Sequence, residues 1–214
     1  MNSDKIQQNE LLSYFEKFIR NEVHGETNVL DIGCGTAEFL YRIGHLEGIK
    51  KLIGLDKSPI SKLIQSDYSR YDIDGKFNQI IFEIRQLPES DREYQYYKIF
   101  TEYVLEKKPL SAKEYTNKYK ITYGKDFLQT KYESDYFDFV LLNRVLHKVE
   151  NPHNFIAQTR LIVKPQKFLF VSQPTSKYIE QKVFEDIGFE IISKHTTSIS
   201  ETKWISKWYK RNSV

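Results

Sequence analysis

Asp31, Gly33, Gly35 and Asp56 are the residues whose types and spacing suggest chemistry. Val29-Leu30-Asp31-Ile32 is a short, mostly apolar run that ends in Gly33-Cys34-Gly35. Such a run suits a buried parallel strand. Two glycines allow a tight turn and let a ligand lie against the backbone. From Ala37 the pattern turns helical, with Phe39, Leu40 and Ile43 on one face. Strand, turn and helix form a corner where the helix N-terminus aims free N–H groups and its positive dipole end at a ligand. Asp56 follows Asp31 by about 25 residues, close to the spacing at which a dinucleotide fold places its ribose-binding acid. A carboxylate there accepts hydrogen bonds from both ribose hydroxyls. The competing readings are a glycine turn with no ligand and an Asp56 that merely caps a helix.

Glu38 separates the ligand classes. The dinucleotide fingerprint has its third glycine at that position, and a pyrophosphate needs the helix end free of negative charge. S-adenosylmethionine carries a positive sulfonium and no phosphate, so it tolerates an acid there. The run VLDIGCGTAEF resembles the glycine motif of class I S-adenosylmethionine-dependent methyltransferases, with Ala37 where that family's third glycine stands.

Composition bounds the remaining options. The chain has 214 residues, enough for one α/β domain with a sizeable core. A net charge of +3 is too weak to imply nucleic-acid binding. The single cysteine, Cys34, excludes an internal disulfide and fits a reducing compartment. With no His or second Cys near it, Cys34 reads as a packing residue rather than a nucleophile or metal ligand, and no metal site is expected. The polar start, Met1 to Glu10, lacks a secretory layout, and no apolar run approaches membrane-spanning length. The expectation is a cytoplasmic protein without membrane contact.

The elements that must hold the corner follow in order. Leu11, Leu12, Phe15, Phe18 and Ile19 predict an amphipathic helix over Ile6 to Asn21. Lys51 to Leu55 reads as the second strand, and Ser58-Pro59 opens a helix that runs to about Arg70. Asp74-Gly75 marks a turn. Phe77, Ile80, Ile81 and Ile84 have helical spacing, although Gln79 to Ile84 also suits a strand, and Pro88 ends the element. Tyr97, Phe100, Thr101, Val104 and Leu105 suggest a second helix, and Ser111 with Glu114 forms a capping box for a third. Residues 77–118 therefore read as a helical insertion between the second and third strands, within a single domain spanning 1–214. Its Tyr94, Tyr96, Tyr97, Phe100 and Tyr103 suit a lid, a homodimer face or an extra helical layer. Lys120 to Tyr123, Phe137 to Leu142, Phe168 to Ser172, Phe189 to Ser193 and Lys203 to Lys210 read as further strands. Helices are expected over Phe155 to Val163 and Tyr178 to Ile187, the latter stopped by Gly188.

Three further segments resemble the same family in the same order. FDFVLLNRVLHKVENP is similar to its fourth-strand segment, LIVKPQKFLFVSQP to its Lys-Pro-Gly-Gly turn and fifth strand, and EDIGFEII to the segment before its sixth strand. Gln166 and Lys167 replace the two glycines of that turn. The resemblance implies a Rossmann-like α/β fold, with a seven-stranded, mostly parallel sheet, an antiparallel last strand and helices on both faces. It implies S-adenosylmethionine as cofactor, with the Gly33–Gly35 backbone and Asp31 at the methionine portion and Asp56 at the ribose. It places Asp126 and Phe127 at the adenine and Asn143 beside the methionine or the acceptor. By the general behaviour of Gly and Asp, Asp126 also suits a plain surface turn.

A sulfonium is an already activated methyl donor, so the protein's main task is alignment. A base is needed only for an acceptor that arrives protonated. His147 is the candidate base; the competing reading has it packing the turn after the fourth strand. Asn143-Arg144-Val145-Leu146 stands where adenine and glutamine-amide methyltransferases carry an Asn-Pro-Pro-Tyr-type motif, which points to a small-molecule acceptor. Two alternatives stay open. One is a catalytically silent S-adenosylmethionine-fold binding module. The other is an RNA or protein methyltransferase, suggested by the basic, aromatic run Trp204 to Arg211.

Overall fold

The apolar run before the glycines becomes β1 (Thr27–Ile32), an interior strand of the sheet in a computed structural model that describes residues 3–60, 76–199 and 202–213. β1 pairs in parallel with β2 (Ile49–Asp56) on one side and β4 (Phe137–Asn143) on the other. β3 (Tyr119–Tyr123) continues the parallel sheet beyond β2, and β5 (Val163–Pro174) beyond β4. β7 (Thr202–Arg211) runs antiparallel between β5 and β6 (Phe189–Ile199). The strand order is β3-β2-β1-β4-β5-β7-β6, the expected seven-stranded Rossmann-like sheet. Strand order reverses between β1 and β4, so a ligand crevice opens at their carboxyl ends.

Helices cover both faces. α1 (Ser3–Glu22) lays Leu11, Phe15 and Ile19 on one face, with α2 (Glu38–Ile43) contributing Leu40 and Tyr41. α6 (Pro152–Ile162) and α7 (Gln181–Asp186) bury Phe155, Ile156 and Phe184 on the other. Every β4 residue from Phe137 to Leu142 is buried, including one acid. Asp138 is tolerated there because it accepts the Asn28 amide at 3.0 Å and the Lys164 ammonium at 2.8 Å.

Between β2 and β3 the described chain forms helices joined by short irregular links, the longest of them 105–111. α3 (Lys76–Gln86) settles the helix-or-strand choice at Gln79 to Ile84 in favour of helix. α4 (Glu89–Ile99) begins after Pro88 and runs into a π-helical turn, Phe100–Val104. α5 (Ala112–Lys118) carries the capping box: Ser111 Oγ accepts from the Glu114 amide, and the Ser111 amide donates to Glu114 Oε2 at 2.9 Å. Several aromatics of this stretch point inward. Tyr96, Tyr97 and Phe100 are buried, and the rings of Tyr97, Tyr115 and Tyr119 follow one another at 4.6 and 4.8 Å. They pack the helices onto Tyr41 of α2, which takes these side chains out of any dimer face. Tyr103 remains exposed.

Several boundaries differ from expectation. β5 starts at Val163 rather than Phe168, because the chain keeps pairing through a bulge in which Gln166 adopts φ +62°. That left-handed residue performs the turn for which a glycine was missing. β6 runs past Ser193 to Ile199, because β7 folds straight back and pairs along its whole length. The helix expected from Tyr178 begins only at Gln181. Gln173 of β5 holds Ile179 through two hydrogen bonds, to its amide and its carbonyl, and keeps it out of the helix. Beyond Ile60, the expected helix to Arg70 and the Asp74-Gly75 turn lie outside the described residues. Among the described residues no helix is long and apolar enough to cross a membrane.

Candidate active site

The glycine bend is built from three left-handed residues: Gly33 at φ +72°, Gly35 at φ +58° and Ala37 at φ +63°. Ala37 therefore keeps the backbone conformation that a third glycine would give. The Gly33 and Cys34 amides donate to the Leu55 carbonyl at 2.7 and 3.2 Å, which ties the bend to the end of β2. The next residue along the bend is tied by a side chain. The Gly35 amide donates to Asp56 Oδ2 at 2.9 Å, while the Ser58 amide donates to Oδ1 at 2.7 Å. A carboxylate oxygen that accepts one amide retains a second lone pair for a hydroxyl. A Cβ built on Gly35 meets nothing within 4 Å, so the space above the bend is open. One built on Gly33 would lie 2.5 Å from Val145 Cγ2.

Above the bend lies a cavity of about 810 Å³, within the usual size of small-molecule sites. Gly33, Gly35, Asp56, Asp126, Phe127 and Asn143 all line it. Leu11 of α1 and Phe39 of α2 supply apolar wall. At the far end Asp126 caps the 3-10 turn Phe127–Gln129 through Leu128, at 3.0 Å, and its other oxygen meets Lys57 Nζ at 3.1 Å. The surface-turn reading of Asp126 and its place in the cavity wall thus hold together. Phe127 is buried against Phe155 at 4.9 Å and presents an apolar face suited to a flat ring.

Asp31 lies beneath the wall rather than in it. Burial, and then the nearby Asp56, push its carboxyl well above the usual range, and its Oδ1 has no hydrogen-bond partner. Asn143 Oδ1 at the end of β4 is also buried without a partner. Burial pushes the Cys34 thiol up as well, with Asp31 and Asp56 adding to it, which fits packing and not nucleophilic chemistry. Among the described residues no group of His, Cys, Asp and Glu side chains could hold a metal ion.

His147 does not line the cavity. It sits in the 3-10 turn Leu146–Lys148, its ring edge-on to Trp204 with centroids 5.8 Å apart. Burial, followed by Lys148, Lys177 and Arg144, holds its pKa below the ordinary value. Sequence reasoning placed Glu38 at the helix end that faces the ligand but missed, among other wall residues, Arg144 and Lys148. The signal for the last two was their position directly after a strand that ends at the crevice. Glu38 accepts the Tyr96 hydroxyl at 2.8 Å and the Thr36 hydroxyl at 3.1 Å, so α4 braces the cavity wall. Nothing in the local sequence signals that contact across 58 residues.

The methyltransferase-domain family model matches residues 4–212. The chain belongs to this family. No curated protein sequence matches it. Solved structures share its fold at low identity. N-methyltransferase NodS from Bradyrhizobium japonicum WM9, in complex with S-adenosyl-L-homocysteine, superposes with a TM-score of 0.61 at 13% identity, covering 98% of this chain and 89% of that one. A SAM-dependent methyltransferase from Aquifex aeolicus gives 0.55 at 11%, covering 95% and 88%. The [4+2]-cyclase SpnF gives 0.62 at 12%, covering 95% and 80%. This methyltransferase takes S-adenosylmethionine as its cofactor, and the donor set fits that molecule. There is open space over Gly35, a carboxylate at the bend with lone pairs left for hydroxyl donors, and an apolar face at Phe127. Unpartnered oxygens on Asp31 and Asn143 stand ready for donors.

Proposed function

We propose that the chain transfers the methyl group of S-adenosylmethionine to a small-molecule acceptor. The observation that carries this reading is one cavity lined at once by the Gly33–Gly35 bend, Asp56, the Asp126–Phe127 turn and Asn143. Asp56 would accept the ribose hydroxyls while holding the bend in place through the Gly35 amide. Asp126 would accept the adenine amine and Phe127 would face the ring. Asp31 would supply negative charge beneath the cationic methionine end. Asn143 would position the methionine or the acceptor. When bound, the cofactor supplies a methyl carbon already activated by its sulfonium. The protein's contribution is alignment and exclusion of water by the walls from Leu11 and Phe39.

His147 fits the packing role more closely than the base role, since its ring rests on Trp204 and stays outside the cavity wall. A homodimer through residues 77–118, read here as an insertion, would use the exposed Phe82 and Tyr103. The test of function is calorimetry with S-adenosylmethionine, followed by methyl-label transfer into the small-molecule, RNA and protein fractions of a lysate. Label in the small-molecule fraction supports the reading. Binding without transfer identifies a silent module, and label in RNA or protein moves the substrate to that class.

A further inference from the structure

Three short segments meet where β4 and β5 end. Arg144 directly follows β4, and His147 and Lys148 sit in the next turn. Lys177 closes the 3-10 turn after β5, and Trp204 of β7 pairs with Pro174 at the end of β5. The Arg144 guanidinium carbon lies 4.9 Å from the Trp204 ring centroid, over its face, and His147 meets the same ring edge-on. Arg144 holds φ +59°, a costly conformation for a residue with a side chain, and its amide is fixed to the Ser172 carbonyl at 3.0 Å. Arg144 and Lys148 also line the cavity beside Asn143. The charge here is mainly positive: Arg144, Lys148 and Lys177 all act against protonation of His147. The acids on these segments are Glu150, in the cavity wall, and Glu180, and both are exposed.

We propose that Arg144 and Lys148, where they line the cavity with Trp204 behind Arg144, form the acceptor subsite, and that the acceptor carries a negative charge beside a flat apolar body. The proposal rests on the cofactor reading, which puts the methyl end near Asn143. A guanidinium laid on an indole is a planar fork already oriented for a carboxylate or phosphate. The free part of the indole offers the apolar contact, and Lys148 and Lys177 add the field that draws an anion in.

The two tryptophans make this testable. Trp208 is fully buried and Trp204 is not, so an emission change that Trp204→Phe abolishes reports Trp204. Calorimetry with S-adenosylhomocysteine comes first, and the saturated protein is then titrated with benzoate, phenyl phosphate and the neutral isostere benzamide. An anion is expected to change the emission saturably, with about tenfold higher affinity than benzamide, the worth of a charge-assisted hydrogen bond. Arg144→Gln removes that preference, and Arg144→Lys restores part of it. A stronger response to benzoate or to phenyl phosphate tells which anion the fork takes. S-Adenosylhomocysteine binding with no preference for anions overturns the subsite alone. Failure of S-adenosylhomocysteine to bind overturns the cofactor reading and the subsite with it.

Discussion

The Gly35 amide points at the Asp56 carboxylate across 2.9 Å, and so the end of β2 holds the bend that follows β1. Asp56 therefore has two tasks, one in the free protein and one toward the ribose. Asp56→Ala is expected to destabilise the cofactor-free protein by about 1.5–3 kcal/mol, the range for hydrogen bonds to a charged group. It should also weaken S-adenosylhomocysteine by more than about tenfold. Asp56→Asn keeps one acceptor oxygen and should fall between. Urea denaturation and calorimetry read the two effects separately.

Gly33 and Gly35 should respond differently to a methyl group. Gly33→Ala adds both a left-handed alanine and a clash with Val145. Gly35→Ala adds the backbone cost alone, about 1–2 kcal/mol. Gly33→Ala is therefore expected to lower the melting temperature more, by pushing the turn after β4 away from the bend.

Asp31 gives the cofactor-free protein a distinctive pH dependence. Its folded pKa lies above the unfolded value of about 3.9. Its contribution to stability is therefore fully present below that value and is lost as pH rises through the elevated folded pKa. Asp31→Asn should melt a few degrees above the parent at pH 8, with the difference closing near pH 4. The same variant should bind S-adenosylmethionine more weakly. Equal melting at both pH values would show that the buried carboxylate is stabilised by something other than a ligand's charge.

Tyr96→Phe removes the hydroxyl that braces Glu38 and leaves the ring packing intact. A loss of about 1 kcal/mol in stability is expected. Cofactor affinity should fall only a few-fold. A larger loss of affinity without a loss of stability would place Glu38 in direct contact with the ligand.

His147→Ala is expected to retain turnover, because the imidazole stands outside the cavity wall. Loss of turnover with unchanged cofactor affinity would make it the base.

The sheet was legible because its strands are short apolar runs that end in glycine or acid, as at Ile32-Gly33 and Leu55-Asp56. Local chemistry also marked the capping box at Ser111 and the stop at Gly188. Less visible were features set by distant partners. Nothing in the bulge sequence signals that Gln166 accepts a positive φ, since a glutamine there is held by Ser213 and the Arg211 carbonyl at the far end of the chain. The tyrosines of α4 and α5 have helical spacing, but whether they face inward depends on Tyr41 and Tyr119. The glycine bend and its acids announced the cofactor end of the site, whereas Arg144 meets Trp204 only after β7 threads between β5 and β6.

α1 touches both ends of the molecule's business. Leu11 forms part of the cavity wall, and four residues on Phe15 stacks on Trp208, which Phe18 covers from the other side of the same helix face. Tyr14 meanwhile bonds to Ser193 of β6. A ligand pressing on Leu11 would thus be felt at the last strand, and trimming the chain past Phe18 would unroof the ligand chamber and lay the deepest indole open to water in a single cut.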